Sequence, residues 1–583
     1  MSKTKIVCTL GPSSEEVCVL QKMVSAGMKV ARINLSHGNQ EIHRKRMENI
    51  KEAARLQGNK VALLVDTRGP EIRIRSFKDG SAELKEGNFF TLTTDEVDGD
   101  EKKVSVTYSG LPRDVSPGDT VLLDDGRISL KVVETTERDV ECRVEFGGTL
   151  RDNKGMNLPG VHLDLPVLSE KDREDLLFAL ELGIDFIAAS FVRNRQDVID
   201  IRNLAENAGK GRVGIISKIE NRQGLDNYTE ILEVSDGIMV ARGDLGVEIP
   251  VEEVPLAQKY MIEECNRAGK PVITATQMLE SMMQNPFPTR AEASDVANAI
   301  IDGTDAVMLS GETAVGSYPV EAARTMQRIA KRTEEGLLYE QILEYFEPAM
   351  EKTVTDAISY ATCHTAQELG ASAIITSTQS GYTARMVSKY RPRSPVIAVT
   401  PVEKVALSLN LSWGVLPVTS PPINNTDEMF TVAVQTSLEA GLISNGDLVV
   451  ITAGLPMGVS GSTNLLRVET VGEVMASGTG LGRFAVTGKA LVVRELADMK
   501  KVEEGDIVVM VSTEKEFVPY LEKTRGVVAE EGGLTSNAAL VAVNQGIPAI
   551  VGVEDATRIV SDGEIITLDG IRGLLYRGRA TVL

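Results

Sequence analysis

The sequence predicts an α/β protein centred on an eight-stranded (β/α)8 barrel, and two observations predict it. Eight short apolar runs, most of them rich in β-branched residues, recur at residues 5–11, 30–36, 61–67, 185–192, 213–220, 237–245, 271–276 and 306–310. Most carry few charges before their last residues, as parallel strands buried on both faces should. Amphipathic helical stretches lie between them, for example residues 41–57, 170–182 and 251–268. Strands alternating with helices build a parallel sheet, and eight such units close it into a TIM barrel. An open doubly wound sheet is the alternative on pattern alone.

The alternation breaks once, between the third and fourth strands. Residues 71–164 read as all-β: Val140, Cys142, Val144 and Phe146 alternate with polar residues, and Asp125-Gly126 and Gly147-Gly148 mark turns. This predicts a β domain inserted in a barrel loop, with Pro70 and Pro166 near its entry points. The barrel is thus assigned residues 1–70 and 166–340 and the insertion residues 71–165. A helical connector near residues 331–345 leads to a second α/β layer at residues 341–473, with a helix at 354–369 and strands at 371–377, 396–400, 415–418 and 447–453. A fourth unit, residues 478–583, is rich in Gly and Val, with strand-like runs at 490–493, 507–511 and 565–568. Its opening Gly478-Thr-Gly-Leu-Gly482 mimics a dinucleotide loop, but a strand-like run rather than a helix follows, so it reads as a linker.

Composition narrows the function. With 583 residues, 42% apolar and 25% charged, the chain is long enough for about four domains and is not disordered in bulk. The five cysteines are odd in number and scattered, without a C-x-x-C pair, which speaks against a disulfide framework or a zinc site and for a reducing, cytoplasmic location. No apolar run is long enough to span a membrane, and no signal-like segment opens the chain. A formal net charge of −21 argues against a nucleic-acid partner.

Barrel enzymes carry their chemistry at the C-terminal ends of the strands, and the polar residues there are specific in kind. The second strand ends Ala31-Arg-Ile-Asn-Leu-Ser-His-Gly38, the third Asp66-Thr-Arg-Gly-Pro-Glu71, the fifth Ser217-Lys-Ile-Glu-Asn221, the sixth Ala241-Arg-Gly-Asp-Leu-Gly246 and the seventh Thr274-Ala-Thr-Gln277. Arg32, Asn34 and Ser36 share one strand face, as do Lys218 and Glu220. Capping explains one or two such residues; a lysine, an arginine and three carboxylates around one mouth point to a site. Glu220 and Asp244 suit magnesium, Arg32 suits a phosphate held bidentately, and Lys218 offers a point charge for oxygens whose charge grows in a transition state. Together they predict metal-assisted chemistry on a phosphorylated anionic small molecule.

These segments, with Thr4-Lys-Ile-Val-Cys-Thr-Leu-Gly-Pro12 and the extensions Asp66–Arg73, Met239–Gly246 and Thr274–Ser281, closely resemble pyruvate kinase over about residues 1–473. The resemblance implies transfer of phosphate from phosphoenolpyruvate to ADP, giving pyruvate and ATP. It implies that Arg32 contacts the phosphate and that Lys218 stabilises the phosphoryl group in flight. It places Mg2+ (or Mn2+) on Glu220 and Asp244, and substrate on the Gly243–Asp244 backbone and the Thr276 hydroxyl, where the enolate gains its proton. Asn34, Ser36, Asp66 and Thr67 resemble a K+ site, and Glu71 an acidic residue that accompanies dependence on a monovalent cation. Asn34, His37, Arg73 and Lys154 match nucleotide-side positions, and Lys154 makes the inserted β-barrel domain a closing lid. Asp125 also matches a lid motif, though a hairpin turn explains Asp-Gly equally well. His43, His162 and His364 read as surface or packing residues.

Thr376, Ser377, Thr378, Ser380, Gly381 and Thr383 resemble an effector loop of an allosteric enzyme, and residues 454–461 a second effector segment; a phosphorylated sugar or nucleotide is the implied effector, and a homotetramer the implied assembly. Residues 532–552 resemble the swivelling β/β/α phosphohistidine domain of phosphoenolpyruvate synthase and pyruvate phosphate dikinase. Asn537 stands where those domains carry the histidine, and an amide nitrogen cannot act as that nucleophile. The domain therefore reads as an appendage. Two other classes compete with the kinase: a magnesium-dependent lyase or aldolase of the pyruvate-binding barrels, and a metabolite-sensing scaffold on a dead barrel.

Overall fold

A computed structural model describes residues 2–163, 165–209, 211–346, 353–423, 425–456, 461–472 and 474–580. It divides into two compact units. The first holds a closed barrel of the parallel strands Lys5–Thr9, Met28–Asn34, Ala62–Asp66, Phe186–Ala189, Gly214–Ile219, Gly237–Ala241, Val272–Ala275 and Ala306–Leu309, paired in chain order around the ring. Each run ends earlier than the apolar pattern does, because its last residues turn out of the sheet into the loops at the mouth.

The two faces of these strands explain their unbroken apolar character. Val7, Val30, Leu64, Phe186, Ile216, Met239, Ile273 and Met308 point inward and fill the barrel as one buried cluster. Ile6, Ile33, Val65, Ile187, Ile215 and Val240 point outward into a second cluster with the surrounding helices. Leu411, from the 3-10 turn Leu409–Leu411, joins the inner cluster. Residues 404–415 and 388–391 belong to the compact unit of the barrel, although the sequence assigns them to the following layer. Polar ties hold them there: Asp305 accepts from Trp413 N–H at 2.9 Å and from Arg391 at 3.0 Å, and Lys5 Nζ donates to the Val415 carbonyl at 2.6 Å.

The insertion carries a seven-stranded sheet. Its edge strands, Ile72–Arg73 and Lys103–Ser105, meet through the Ile74–Val106 bridge and the bonds Arg75 N–H to Ser105 and Thr107 N–H to Arg73, closing the sheet on itself. The one helix described in it, Leu111–Asp114, is a single turn.

The second unit contains a five-stranded sheet, parallel except for the edge strand Thr463–Thr470, and an eight-stranded mixed sheet formed by residues 474–577. Here one expectation fails. Residues 478–482 are no linker: Thr479–Leu481 pairs antiparallel with Ala549–Val551, and Val474–Ser477 with Leu574–Arg577. The glycines that imitate a linker allow close backbone approach; a Cβ on Gly480 would lie 2.6 Å from the Gly570 carbonyl.

The buried base of the barrel makes stability depend on pH. Burial, helped by Lys29 and opposed by Glu334 and Asp305, lowers the Lys5 ammonium from 10.5 to about 7. Between those values the unfolded chain binds a proton that the folded chain does not, so stability rises with pH. Urea midpoints of the wild type should therefore gain on those of Lys5→Met as pH rises from 7 to 10. Parallel midpoints across that window would show that Lys5 stays charged in the fold.

Candidate active site

A hydrogen-bonded chain of charged groups crosses the barrel mouth. Arg32 Nε lies 2.6 Å from an Asp66 oxygen, and a terminal nitrogen donates to Thr9 Oγ1 at 2.9 Å. Lys218 Nζ donates to Asp66 at 3.1 Å and to Ser190 Oγ at 2.8 Å, and lies 2.7 Å from Glu220. Asp66 and Glu220 are each 1% exposed, Arg32 and Lys218 each 9%. Residues two apart on a strand share a face, so Lys218 and Glu220 both reach this chain.

Burial by itself would raise the Asp66 carboxyl, yet Arg32 and Lys218 hold it below its usual range. Burial also opposes the Lys218 charge; Asp66 and Glu220 outweigh it and hold the ammonium above its usual value. Glu220 and Asp244 go the other way. Burial raises both and Lys218 pulls both back, while Asp244 adds to the rise at Glu220, and Asp125 and Asp66 to that at Asp244. Two adjoining carboxyls, one buried and one half-buried, that resist ionisation together suit a divalent cation, which neutralises their repulsion. Among the described residues no group of three or more His, Cys, Asp or Glu side chains could hold a metal. Two carboxylates would leave a divalent ion's remaining positions to water or substrate oxygens, a donor set that suits magnesium.

The sequence carries the sixth strand through residue 245; it stops at Ala241, and Arg242–Glu248 is a short helix. Gly243 and Asp244 thus sit in a helical first turn beside the seventh strand's exit. There Thr276 Oγ1 donates to the Ala275 carbonyl at 2.6 Å and accepts the Gly243 N–H at 2.8 Å. The hairpin Asp124-Asp125-Gly126 of the insertion has all three residues at positive φ. Asp125 and Asp244 both line a cleft of about 290 Å³, so the turn geometry and the proximity to the site hold together.

Asn34 and Asp66 are register partners on adjacent strands. Asn34 Oδ1 accepts the Ser36 N–H at 2.9 Å, and the Thr67 carbonyl accepts from Ser190 at 2.7 Å. Asn34, Ser36, Asp66 and Thr67 thus offer hard oxygens at one corner, and in kind they fit K+. In the insertion, Gly155 is the register partner of Arg73, which brings Lys154 beside Arg73. Arg73 pairs with Glu71 at 2.6 Å and Lys154 with Asp124 at 2.6 Å, their side chains 43% and 36% exposed. His37 is exposed.

In the second unit, Thr376, Thr378 and Thr383 are buried. Their hydroxyls bond to the Ile397 carbonyl at 3.4 Å, the Gly381 N–H at 3.0 Å and the Thr463 hydroxyl at 2.8 Å. Ser377 is half-buried, Gly381 buried and Ser380 exposed. In the second effector segment, residues 457–460 lie outside the described residues. Asn537 opens the helix Asn537–Gln545, and its amide donates to the Thr513 carbonyl at 2.9 Å.

Several residues at the mouth escaped the sequence reading. Ser190 joins Asp66 and Lys218, Thr9 holds Arg32, and the Phe191 N–H donates to Glu220 at 2.6 Å. Thr9 ends the first strand, and Ser190 and Phe191 follow the fourth; inspecting all eight strand ends would have found them.

Residues 1–323 match the family described as pyruvate kinase, barrel domain, and residues 356–469 the pyruvate kinase alpha/beta domain. Residues 502–573 match the mobile domain of PEP-utilising enzymes. The chain is 54% identical to a pyruvate kinase of Geobacillus stearothermophilus and 52% identical to one of Bacillus licheniformis, each over 100% of both chains. A crystal structure of a pyruvate kinase from Cryptosporidium parvum aligns with a TM-score of 0.76 at 42% identity, over 80% of this chain and 96% of that one. These matches favour phosphoryl transfer over the lyase or aldolase reading. The chain belongs to the pyruvate kinase family, the glycolytic phosphotransferases that move a phosphoryl group from phosphoenolpyruvate to ADP.

Proposed function

We propose that this transfer runs along the charged chain at the barrel mouth. The observation that supports it best is the buried Lys218 ammonium, held between Asp66 and Glu220 and kept charged by both. Phosphoryl transfer asks for positioning and charge neutralisation more than covalent help. Arg32, with its guanidinium fixed by Asp66 and Thr9, holds the phosphate. Lys218 meets the phosphoryl oxygens as it leaves the enolate. Glu220 and Asp244 hold Mg2+ (or Mn2+), which when bound neutralises charge on the substrate oxygens. The Gly243–Asp244 backbone and the Thr276 hydroxyl bind the substrate, and Thr276 stands where the enolate carbon is protonated.

On the nucleotide side, Asn34, His37, Arg73 and Lys154 receive ADP, Arg73 and Lys154 exchanging carboxylate partners for phosphate oxygens. The inserted domain closes as a lid and excludes the water that would otherwise accept the phosphoryl group. Asn34, Ser36, Asp66 and Thr67 hold K+. Glu71 supplies negative charge beside that corner, where a lysine would replace the cation. We assign residues 341–473 to effector binding, through Thr376, Ser377, Thr378, Ser380, Gly381 and Thr383, in a cytoplasmic homotetramer regulated by a phosphorylated sugar or nucleotide. Ser380 is the exposed hydroxyl of that loop. Residues 478–583 support the assembly and carry no phosphate.

Lys218→Met should lower turnover by about a thousandfold or more while phosphoenolpyruvate still binds. Turnover within tenfold of wild type would remove Lys218 from the mechanism. Replacing K+ with tetramethylammonium should sharply reduce activity, and equal rates in both buffers would contradict a K+ site at Asn34 and Asp66. Labelled phosphoenolpyruvate should leave no acid-labile phosphoenzyme; stoichiometric labelling of the C-terminal domain would overturn the appendage reading.

A further inference from the structure

The turn that presents Thr276 is strained. Thr276 and Gln277, neither a glycine, follow one another at φ 65° and 53°. Such residues are strained and persist only where their surroundings over-determine them. For a β-branched threonine the left-handed region is a true outlier.

One side chain supplies most of that determination. The Arg242 guanidinium donates from Nε to the Ala275 carbonyl at 3.2 Å, and from one terminal nitrogen to the Thr276 carbonyl at 2.6 Å and to Met278 Sδ at 2.8 Å. Its other terminal nitrogen pairs with Asp295 at 2.8 Å and reaches Gln258 at 3.4 Å. The side chain is 11% exposed. From the far side of the turn, Glu312 accepts the Leu279 N–H at 3.0 Å. The next residue after Arg242 holds the same threonine by its hydroxyl, through the Gly243 N–H. Two consecutive residues of the sixth strand's exit therefore grip Thr276 at its backbone and at its side chain.

We propose that Arg242, braced by Asp295, is a positioning residue that sets the Thr276 hydroxyl against the reacting carbon, and so governs the proton step separately from phosphoryl transfer. This rests on the placement of Thr276 at the protonation step. A planar guanidinium spans consecutive carbonyls with donors fixed in a fork, whereas a lysine ammonium is a compact point charge on a flexible stem. Without the fork the turn relaxes toward negative φ and swings the hydroxyl. A misplacement of about 1 Å costs on the order of a hundredfold in a positioned reaction.

The two steps are separable because the methyl group of pyruvate lies α to a carbonyl, so its protons can exchange with no phosphoryl group to transfer. A methyl C–H bond breaks and its electron pair forms the enolate; the proton leaves by way of the Thr276 hydroxyl to solvent, and a deuteron from solvent returns to the carbon by the same route. The test uses the full-length chain with Mg2+, K+ and pyruvate in deuterated water, reading methyl exchange by NMR. Steady-state phosphoenolpyruvate kinetics and melting midpoints are measured alongside. Arg242→Gln should lower exchange at least tenfold more than it lowers the folded fraction, and Arg242→Lys should restore part of it. Asp295→Asn, which loosens the brace and keeps the guanidinium, should lower exchange several-fold in a folded protein and covers the case in which Arg242→Gln does not fold. Thr276→Ala is the reference. If Thr276→Ala loses exchange while Arg242→Gln and Asp295→Asn keep it, this proposal falls and the placement of Thr276 stands. If Thr276→Ala keeps exchange, both fall. Exchange and phosphoryl transfer declining together, in proportion to folded protein, would reduce Arg242 to a structural role.

Discussion

A buried ammonium is the constraint on which the rest of this molecule depends. Burial opposes the Lys218 charge, and Asp66 and Glu220, fully buried beside it, reverse that preference. Removing one partner of such a cluster leaves an uncompensated charge, which costs several kcal/mol. The cluster exists only once the third, fourth and fifth strands are paired side by side. Asp66 ends the third strand and Lys218 lies on the fifth, and the fourth runs between them. Ser190, at the fourth strand's exit, bonds to both. The site therefore assembles from consecutive neighbouring strands that are far apart in the chain.

The insertion leaves the barrel at this same corner, with consequences for both. Gly69 takes φ 74°, and a Cβ there would lie 2.8 Å from the Phe191 ring. The Phe191 backbone, itself at φ 54°, directs its N–H at Glu220. The loop leading into the insertion thus packs on the residue that steadies a metal-binding candidate. On the return path, Arg193 donates to the Leu163 and Leu165 carbonyls. Asp125 and Asn157 of the insertion face Asp244 and Glu248 of the barrel, the former by charge and the latter by a 3.1 Å hydrogen bond.

The C-terminal sheet carries a helix whose start is built from side-chain contacts. Ser536 caps the helix by accepting the Ala539 N–H, and Asn537 follows it with its amide tied to the neighbouring loop. An amide nitrogen at that helix start cannot act as a nucleophile.

The sequence by itself determined the barrel strands, because burial on two faces writes itself as continuous apolar runs: Val7 faces the interior and Ile6 the helices, and neither position tolerates a charge. It also marked the charged groups of the mouth, since Arg32, Asp66, Lys218, Glu220 and Asp244 stand where apolar runs end. Tertiary structure alone decided what those groups do to one another. That Lys218 gains charge stability while Glu220 and Asp244 lose it depends on distances between strands far apart in the chain. The same holds for Arg242, which looks like any strand-end cation until the strained exit of the neighbouring strand is seen beneath it, and for Gly478–Gly482, whose glycines read as flexible and instead permit close packing. Periodicity records which side of an element is buried; it carries no information about which neighbour buries it.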